Sequence, residues 1–245
     1  MQGRVGRISR RRDMRNYLKL DYLLDTEAQI ASVVVRVFGE GKVKITVDGE
    51  SRETVATKEG TKEDFFLLGV RLWTVSSPEL YTLTLEDEEG RREYHFGLRN
   101  IGLSPERGFF LNAMEIELGE ENTLITDKEE ELFLADRKGI VAAYCLHKRD
   151  LEDKEKLYSL LFHPSLCFLA YDVEEASDRN EAFAVNSLLY SLDKSRPTMG
   201  IGKKWDERCL FDVTILPSME KRENYRIVGE RRGKGFTLST QAIKK

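Results

Sequence analysis

The chain has 245 residues, a hydrophobic content of 40% and a formal net charge of −4. This length and composition allow one large domain or two ordinary ones with packed cores, and the small net charge excludes a general nucleic-acid binder. No apolar run approaches the roughly eighteen residues of a membrane span, and no hydrophobic segment follows the basic N-terminus. We therefore predict no membrane anchor or secretory signal, and a cytoplasmic location.

Residues 1–16 form a basic leader that contains six arginines and one acidic residue. Such a segment suits an arm that binds RNA, DNA or an anionic membrane surface. No aromatic residues lie between the arginines, however, and the rest of the chain is acidic. We predict a flexible, solvated leader and no membrane partner, with nucleic-acid binding as the remote alternative.

Residues 17–107 consist of short alternating segments separated by turn signals. In the segment 42–47, Val43, Ile45 and Val47 alternate with polar residues, and Asp48-Gly49 then supplies a hairpin turn. The same alternation predicts seven strands, at residues 17–24, 30–38, 42–47, 51–56, 64–70, 81–85 and 91–98. Seven short strands at regular spacing predict an immunoglobulin-like β-sandwich.

Residues 108–245 change to the spacing of βα units. Asp127, with Glu130 three residues later, predicts a helix N-cap, and Gly139 predicts the end of that helix. Further helices are predicted at 150–162 and 177–192, and buried strands at 140–146, 166–171, 197–201, 211–215 and 225–229. Five such strands in succession predict a parallel sheet. The fold class is therefore multidomain, β plus α/β.

Five short motifs follow one another in a fixed order around the predicted domain boundary. They are Leu72-Trp73, Ser77-Pro78, Leu80-Tyr81-Thr82-Leu83, Phe96-Gly97-Leu98-Arg99 and Gly108-Phe109-Phe110-Leu111-Asn112. This succession resembles glycoside hydrolase family 2, which includes β-galactosidases, β-glucuronidases and β-mannosidases. In that family it closes the immunoglobulin-like middle domain and enters the catalytic barrel. The resemblance implies an immunoglobulin-like β-sandwich at 17–107 and an incomplete (β/α) barrel at 108–245.

The resemblance also implies catalytic residues. The segment 163–165, His-Pro-Ser, is similar to the motif that opens barrel strand four, and counting from it places the family's acid/base glutamate at Glu174. The strand 225–229 would be strand seven, whose end bears the nucleophile, here Glu230. Both residues follow predicted strands, where barrel enzymes place their active sites. A retaining glycosidase needs two such carboxyl groups about 5 Å apart.

Neighbouring charges suit these two roles. Arg231 and Arg232 would keep a nucleophilic Glu230 ionised, whereas Asp172 and Glu175 would raise the pKa of the acid/base. For substrate binding, Trp205 is a candidate to stack on a sugar ring, with packing as its alternative. His163 is a second candidate, with a structural turn as its alternative.

The sequence also departs from the family. Asp172-Val173 stands where the family has glycine-asparagine, and valine cannot hydrogen-bond the sugar 2-hydroxyl. Residues 108–245 are too few for a closed eightfold barrel, which needs about 200 or more. An open sheet would expose strand edges unless helices, the sandwich or another chain, either a second copy or a partner, cover them.

Two functions remain open. The first is a retaining hydrolase of β-galactosides, β-glucuronides or β-mannosides, and the second is a non-catalytic module that binds carbohydrate or assembles with protein. The mechanism requires no cofactor. The cysteines are odd in number and widely spaced, and His147 with Cys145 and Cys167 matches no metal-ligand spacing, so neither disulfides nor a metal site are predicted.

Overall fold

The computed structural model describes residues 15–104, 106–202, 211–216 and 227–239. Its first seven strands form two antiparallel sheets. One sheet has the order β1-β2-β5 and the other the order β4-β3-β6-β7. Their bounds are β1 Tyr17–Asp25, β2 Ile30–Phe38, β3 Gly41–Val47, β4 Glu50–Ala56, β5 Thr61–Leu68, β6 Tyr81–Asp87 and β7 Gly90–Phe96. All seven strands predicted from the sequence are confirmed, and their ends differ from prediction by at most three residues.

The two sheets enclose one hydrophobic core. Val43, Ile45 and Val47 are at most 4% exposed, as their alternation predicted. They pack in the same cluster as Val33 and Val35 of the opposite sheet. Burying a branched aliphatic side chain contributes about 1.5–3 kcal/mol, so this alternation supplies the main force that holds the sheets together.

A small antiparallel sheet, absent from the sequence prediction, follows the sandwich. It contains β8 (Ile101–Ser104), β9 (Gly108–Leu111) and β10 (Met114–Ile116) in the order β10-β9-β8. Its side chains Phe109 and Leu111 are buried against the sheet that comes next in the chain.

The remaining strands form one seven-stranded sheet in chain order. The strands are β11 Thr123–Thr126, β12 Val141–Leu146, β13 Leu166–Asp172, β14 Thr198–Ile201, β15 Val213–Leu216, β16 Val228–Arg232 and β17 Gly235–Ser239. The first six are parallel, which confirms the parallel sheet, and β17 runs antiparallel to β16. The sequence prediction missed β11 and β17.

Three helices connect the first four of these strands. They are α1 (Glu129–Lys138), α2 (Lys154–Leu160) and α3 (Arg179–Leu192). They pack on one side of the sheet, called the outer face, against side chains such as Tyr144 and Tyr171. The other side, called the inner face, carries Ala143, Phe168 and Ile215. Because successive residues of a strand alternate between faces, every side chain of the sheet can be assigned to one of them.

The sheet curls until its first and last strands meet. The N–H of Phe236 donates to Thr123 Oγ1, and that hydroxyl contacts the carbonyl of Phe236, both at 2.8 Å. The N–H of Ile125 donates to the carbonyl of Lys234 at 2.5 Å. These pairs share one antiparallel register, so β17 lies beside β11 and the edges of the sheet cover each other. Among the described strands the sheet is therefore not open at these two edges, and a second copy or partner chain that covers the protein stays a prediction.

Two helix predictions need correction. Asp127 is not an N-cap, since α1 begins at Glu129 after Lys128, and no side chain caps it. The predicted helix 150–162 is shorter, because a 3₁₀ turn occupies Lys148–Asp150 and Asp153 then caps α2 by accepting from the N–H of Lys156. Gly139 ends α1 in the left-handed conformation, as predicted. No helix in the described ranges is both long and apolar enough to cross a membrane.

Buried contacts join the sandwich to the N-terminal end of β13. Trp73 is fully buried and donates from Nε1 to the carbonyl of Asp136 at 2.8 Å. Arg99 is 3% exposed and donates to the carbonyls of Pro164 and Leu166. Since these contacts are at the N-terminal ends of the strands, the sandwich packs on the side of the barrel opposite to the predicted catalytic residues.

Candidate functional site at the C-terminal rim of the barrel

Charged side chains converge where β11, β12 and β13 end. Asp127, His147 and Glu175 form one hydrogen-bonded group, called here the rim cluster. His147 Nδ1 lies 2.5 Å from Glu175 Oε1, and His147 Nε2 lies 3.3 Å from Asp127 Oδ2. The N–H of Lys148 also donates to Glu175 Oε2 at 2.9 Å. Three consecutive strands thus bring their terminal charges together at this rim.

The rim cluster favours the protonated form of its histidine. The hydrogen bond with Glu175 is the main cause that raises the pKa of His147, and the bond with Asp127 adds to it. Reciprocally, the bond with His147 lowers the pKa of Asp127. Burial opposes ionisation of Glu175, but hydrogen bonds from His147 and from the backbone of Lys148 still lower its pKa. Both ring nitrogens of His147 are engaged by carboxylates, and the raised pKa favours its protonated form, so the cluster suits an ordering role at the rim better than general-base catalysis.

Glu174 lies at this same rim. It belongs to the 3₁₀ turn Val173–Glu175, and its N–H donates to Asp172 Oδ1 at 2.9 Å. Its side chain is exposed and reaches across the end of β14, because a Cβ built on Gly202 would lie 2.9 Å from Glu174 Oε1. Val173 is buried in the outer core and presents no polar group to a sugar. The neighbouring Glu175 is engaged by His147.

Glu230 lies inside β16, whereas the sequence prediction placed it after the strand. It pairs with Thr237 of β17, and Arg231 pairs with Phe236. Phe236 is fully buried in the inner core, and directly opposed residues point to the same face. Arg231 therefore projects on the inner side and Glu230 on the outer side. There Arg232 Nη2 lies 3.3 Å from Glu230 Oε2.

Glu174 and Glu230 lie at strands three positions apart in the sheet, the separation that the resemblance implies for strands four and seven. Their strands, β13 and β16, are separated by β14 and β15, which corresponds to about 14 Å along a sheet with a strand spacing of about 4.8 Å. In a curled sheet the straight-line distance between the strands is shorter than this, and the two carboxyl groups come close together when both project toward the inside of the barrel. The outward orientation of Glu230 therefore does not provide the ~5 Å carboxylate pair of a retaining glycosidase.

His163 lies at the opposite end of β13 from Glu174 and is 3% exposed. Its Nδ1 lies 2.6 Å from Asp136 Oδ2, and its Nε2 lies 3.6 Å from Glu129 Oε1. Burial acts to lower the pKa of His163, but the hydrogen bonds with Asp136 and Glu129 raise it overall. His163 therefore lies away from the rim, in buried contacts that suit its structural alternative. Trp205 lies outside the described residues.

Two cysteines and several potential metal ligands can be located in the described part of the chain. Cys167 is buried and Cys145 half-buried, and neither forms a disulfide there. Burial is the main cause that raises the pKa of Cys145 to about 12, followed by the charges of Asp172 and Glu175. Such a thiol is a poor nucleophile at neutral pH. No group of three or more potential ligands in these residues is arranged to hold a metal ion.

Solved structures similar to this chain are enzymes with the suspected fold. An FMN-binding β-glucuronidase from Facaelibacterium prausnitzii L2-6 matches with a TM-score of 0.65 at 13% identity, over 81% of this chain and 42% of that chain. A glycosyl hydrolase family 2 member from Bacteroides cellulosilyticus matches with a TM-score of 0.63 at 19% identity, over 82% and 37%. A β-glucuronidase from an uncultured Clostridium sp. gives 0.63 at 17% identity, over 82% and 46%.

These matches define the class of fold. About four fifths of this chain shares the architecture of family 2 glycosidases, and the chain spans less than half the length of each of these enzymes. No protein-family model matches the sequence, and no curated protein matches it. The resemblance recorded in the sequence motifs is thus supported at the level of fold, by structures of the β-glucuronidase type.

Proposed function

We propose that this protein binds a β-linked glycoside at the C-terminal rim of its barrel and does not hydrolyse it by the retaining mechanism. The fold shared with β-glucuronidases supports a sugar ligand. The rim presents Glu174 beside Gly202, next to a rigid rim cluster. Carboxylates are suitable acceptors for sugar hydroxyl groups.

The orientation of Glu230 is the observation that favours sugar binding over sugar hydrolysis. Double displacement requires a nucleophile that reaches the anomeric carbon on the same face as the acid/base. Glu230 shares its face with Thr237 and Arg232, on the outer side of the sheet. Replacement of the family's asparagine by Val173 removes a further contact to the sugar.

We also propose that the domain division follows the family. The strand orders β1-β2-β5 and β4-β3-β6-β7 suit an immunoglobulin-like middle domain at 17–107. Residues 108–245 would then be a shortened barrel, with six parallel strands in its described part and β17 against β11. On this proposal the sandwich supports the barrel from the side opposite to the sugar.

The test combines calorimetric titration with a turnover assay. Methyl β-glucuronide, β-galactoside and β-mannoside are titrated into the wild type, Glu174→Gln and Glu230→Gln, and chromogenic analogues are assayed in parallel. We expect saturable binding of one sugar, weakened about tenfold or more by Glu174→Gln and unchanged by Glu230→Gln, with no turnover.

Two results would overturn the proposal in different ways. Turnover that both substitutions abolish would establish a two-carboxylate hydrolase. Absence of binding to every sugar by the folded wild type would favour a protein-assembly module.

A further inference from the structure

A pocket of about 400 Å³ lies between β1 of the sandwich and the C-terminal end of α3, away from the rim. Its lining includes Lys19 and Asp21 of β1, Arg99 after β7, and Lys194 and Arg196 after α3. The volume is within the range of about 300–1,000 Å³ that is usual for small-molecule sites. We propose that this arginine pocket binds a phosphate-type oxyanion. The proposal is independent of the sugar-binding function.

Two guanidinium groups converge in the wall of the arginine pocket. Arg99 Nη2 and Arg196 Nε donate to the same carbonyl oxygen, that of Leu166, at 2.6 and 2.7 Å. The two arginines are 3% and 6% exposed, so little water screens their charges from each other. Burial is the largest cause that lowers the pKa of Arg196, and the charge of Arg99 acts in the same direction while that of Asp193 opposes it. Burial also acts to lower the pKa of Arg99, but neighbouring groups outweigh this effect and raise it overall. A nearby anion would relieve the repulsion between the two guanidinium groups.

The nearby carboxylates neutralise only part of this charge. Asp193 forms an ion pair with Arg196 Nη1. Asp193 and, to a smaller extent, Asp136 also raise the pKa of Arg99, and the Asp136 carboxylate is already engaged by His163. In the described ranges, the Arg99 side chain donates to the backbone carbonyls of Pro164 and Leu166. One carboxylate between two guanidinium groups leaves a buried positive charge at the pocket.

The outer part of the lining adds to the positive charge. Lys194 is exposed and has no ion pair within the residues that the structure describes, while Lys19 Nζ lies 3.2 Å from Asp21 Oδ2. The whole lining has four cationic and two acidic side chains, in a protein with a net charge of −4. The C-terminal end of α3 contributes about half a negative charge, which is smaller than this excess. A doubly charged oxyanion matches the remaining charge.

The experiment titrates inorganic phosphate and glycerol phosphate separately into the full chain at constant ionic strength, with heat of binding and thermal midpoint as readouts. Lys194→Glu reverses a charge at the mouth of the pocket. Lys154→Glu makes the same change on α2, outside the lining, and serves as the matched control. We expect saturable binding by the wild type and by Lys154→Glu, weakened about tenfold or more in Lys194→Glu.

Preference for inorganic phosphate would indicate the free ion as ligand, and preference for the monoester would indicate a phosphorylated metabolite; both support the proposal. The proposal is overturned if the wild type shows no saturable binding of either probe at tens of millimolar. Equal weakening by the two substitutions would also overturn it, because general surface charge would then explain the binding.

Discussion

His163 shows how one buried residue can serve the fold while its motif suggests a ligand. Its ring lies between the carboxylates of Asp136 and Glu129, and the edge of Phe133 packs against it with ring centroids 4.7 Å apart. Asp136 also accepts from the N–H of Ser165 at 2.9 Å. The His-Pro-Ser segment is therefore fixed to α1 just where β13 begins.

This network predicts a pH-dependent loss of stability in His163→Gln. Because the folded-state pKa of His163 is raised, its charged form stabilises the fold fully below the unfolded value of about 6.5. That contribution is lost as the pH rises through the folded-state pKa. We expect the substitution to cost about 1–3 kcal/mol near pH 5.5 and less as the pH rises past the folded-state pKa. Urea unfolding across this range measures the difference.

His95→Gln is the control for this experiment. His95 is a third exposed in β7, with Nε2 3.5 Å from Glu93, and its replacement should change stability by less than about 0.5 kcal/mol at each pH. A cost of His163→Gln that does not vary with pH would argue against a charged histidine in the network.

For Glu230, the sequence predicts a glutamate next to an apolar strand but not the face of the sheet on which its side chain lies. The sequence predicts a strand that ends at Gly229 with Glu230 directly after it, whereas β16 continues to Arg232. Since faces alternate at every residue, the partner strand decides where Glu230 points. That partner, β17, is a five-residue strand with a mixed pattern, which the periodicity of the sequence did not reveal.

At the scale of the element, Gly139 links the end of α1 to the sandwich. Its φ is +67°, and a Cβ built there would lie 2.0 Å from the carbonyl oxygen of Val75. Gly69 has a φ of +64° with no atom within 4 Å of such a Cβ. The two glycines therefore share the left-handed conformation and differ in the space around them.

Alanine substitution should separate these two effects. Gly69→Ala should cost about 1–2 kcal/mol, the penalty of a side chain in the left-handed region. Gly139→Ala should cost about 1–3 kcal/mol more, because the backbone of Val75 must move. Denaturant unfolding of both variants measures the difference. Equal losses of unfolding free energy would show that the Val75 backbone moves without a measurable cost.

The contact between β11 and β17 makes a prediction about Thr123. Thr123 is 6% exposed, and its hydroxyl accepts from the N–H of Phe236 and lies 2.7 Å from the carbonyl of Gly119. Thr123→Val keeps the shape and leaves that buried N–H without its partner, so we expect a loss of about 1–3 kcal/mol. Hydrogen exchange at the Phe236 amide should accelerate with it.

Thr46→Val is the matched control, because Thr46 bonds Ser51 at an exposed position of the sandwich. It should leave exchange at Phe236 unchanged. Unaltered exchange in Thr123→Val would mean that β17 is held by β16 alone.

Local periodicity of the sequence predicts most of the strands and helices. The strands that it misses at the two ends of the large sheet, β11 and β17, are short and pair with each other over a long distance in sequence. The sandwich strands and helices α1 to α3 were predicted because each buries one face, which the sequence displays as alternation or as helical spacing. The meeting of β11 with β17 joins Thr123 to Phe236, 113 positions apart. Both strands are only four or five residues long, and no local signal encodes a pairing over that separation.

On the scale of the whole molecule, buried groups cross from the sandwich to the barrel. Trp73 donates to the backbone of Asp136, and Arg99 donates to the backbone around β13. Gly97 packs so closely that a Cβ would lie 2.7 Å from Pro164. Separating the two parts would expose these groups together, so neither core is expected to unfold while the other remains intact.

This argument predicts one cooperative unfolding transition for both cores. The chain has two tryptophans, so Trp205→Phe leaves Trp73 as the single fluorescent reporter at the junction. Far-ultraviolet circular dichroism reports on the helices of the barrel and the strands of both parts. Because breaking the junction leaves the buried Arg99 without its acceptors, we expect the two signals to give the same urea midpoint and slope. A fluorescence change that precedes the loss of helix signal would instead show that the sandwich separates from a folded barrel, which would make the junction the weakest part of the molecule.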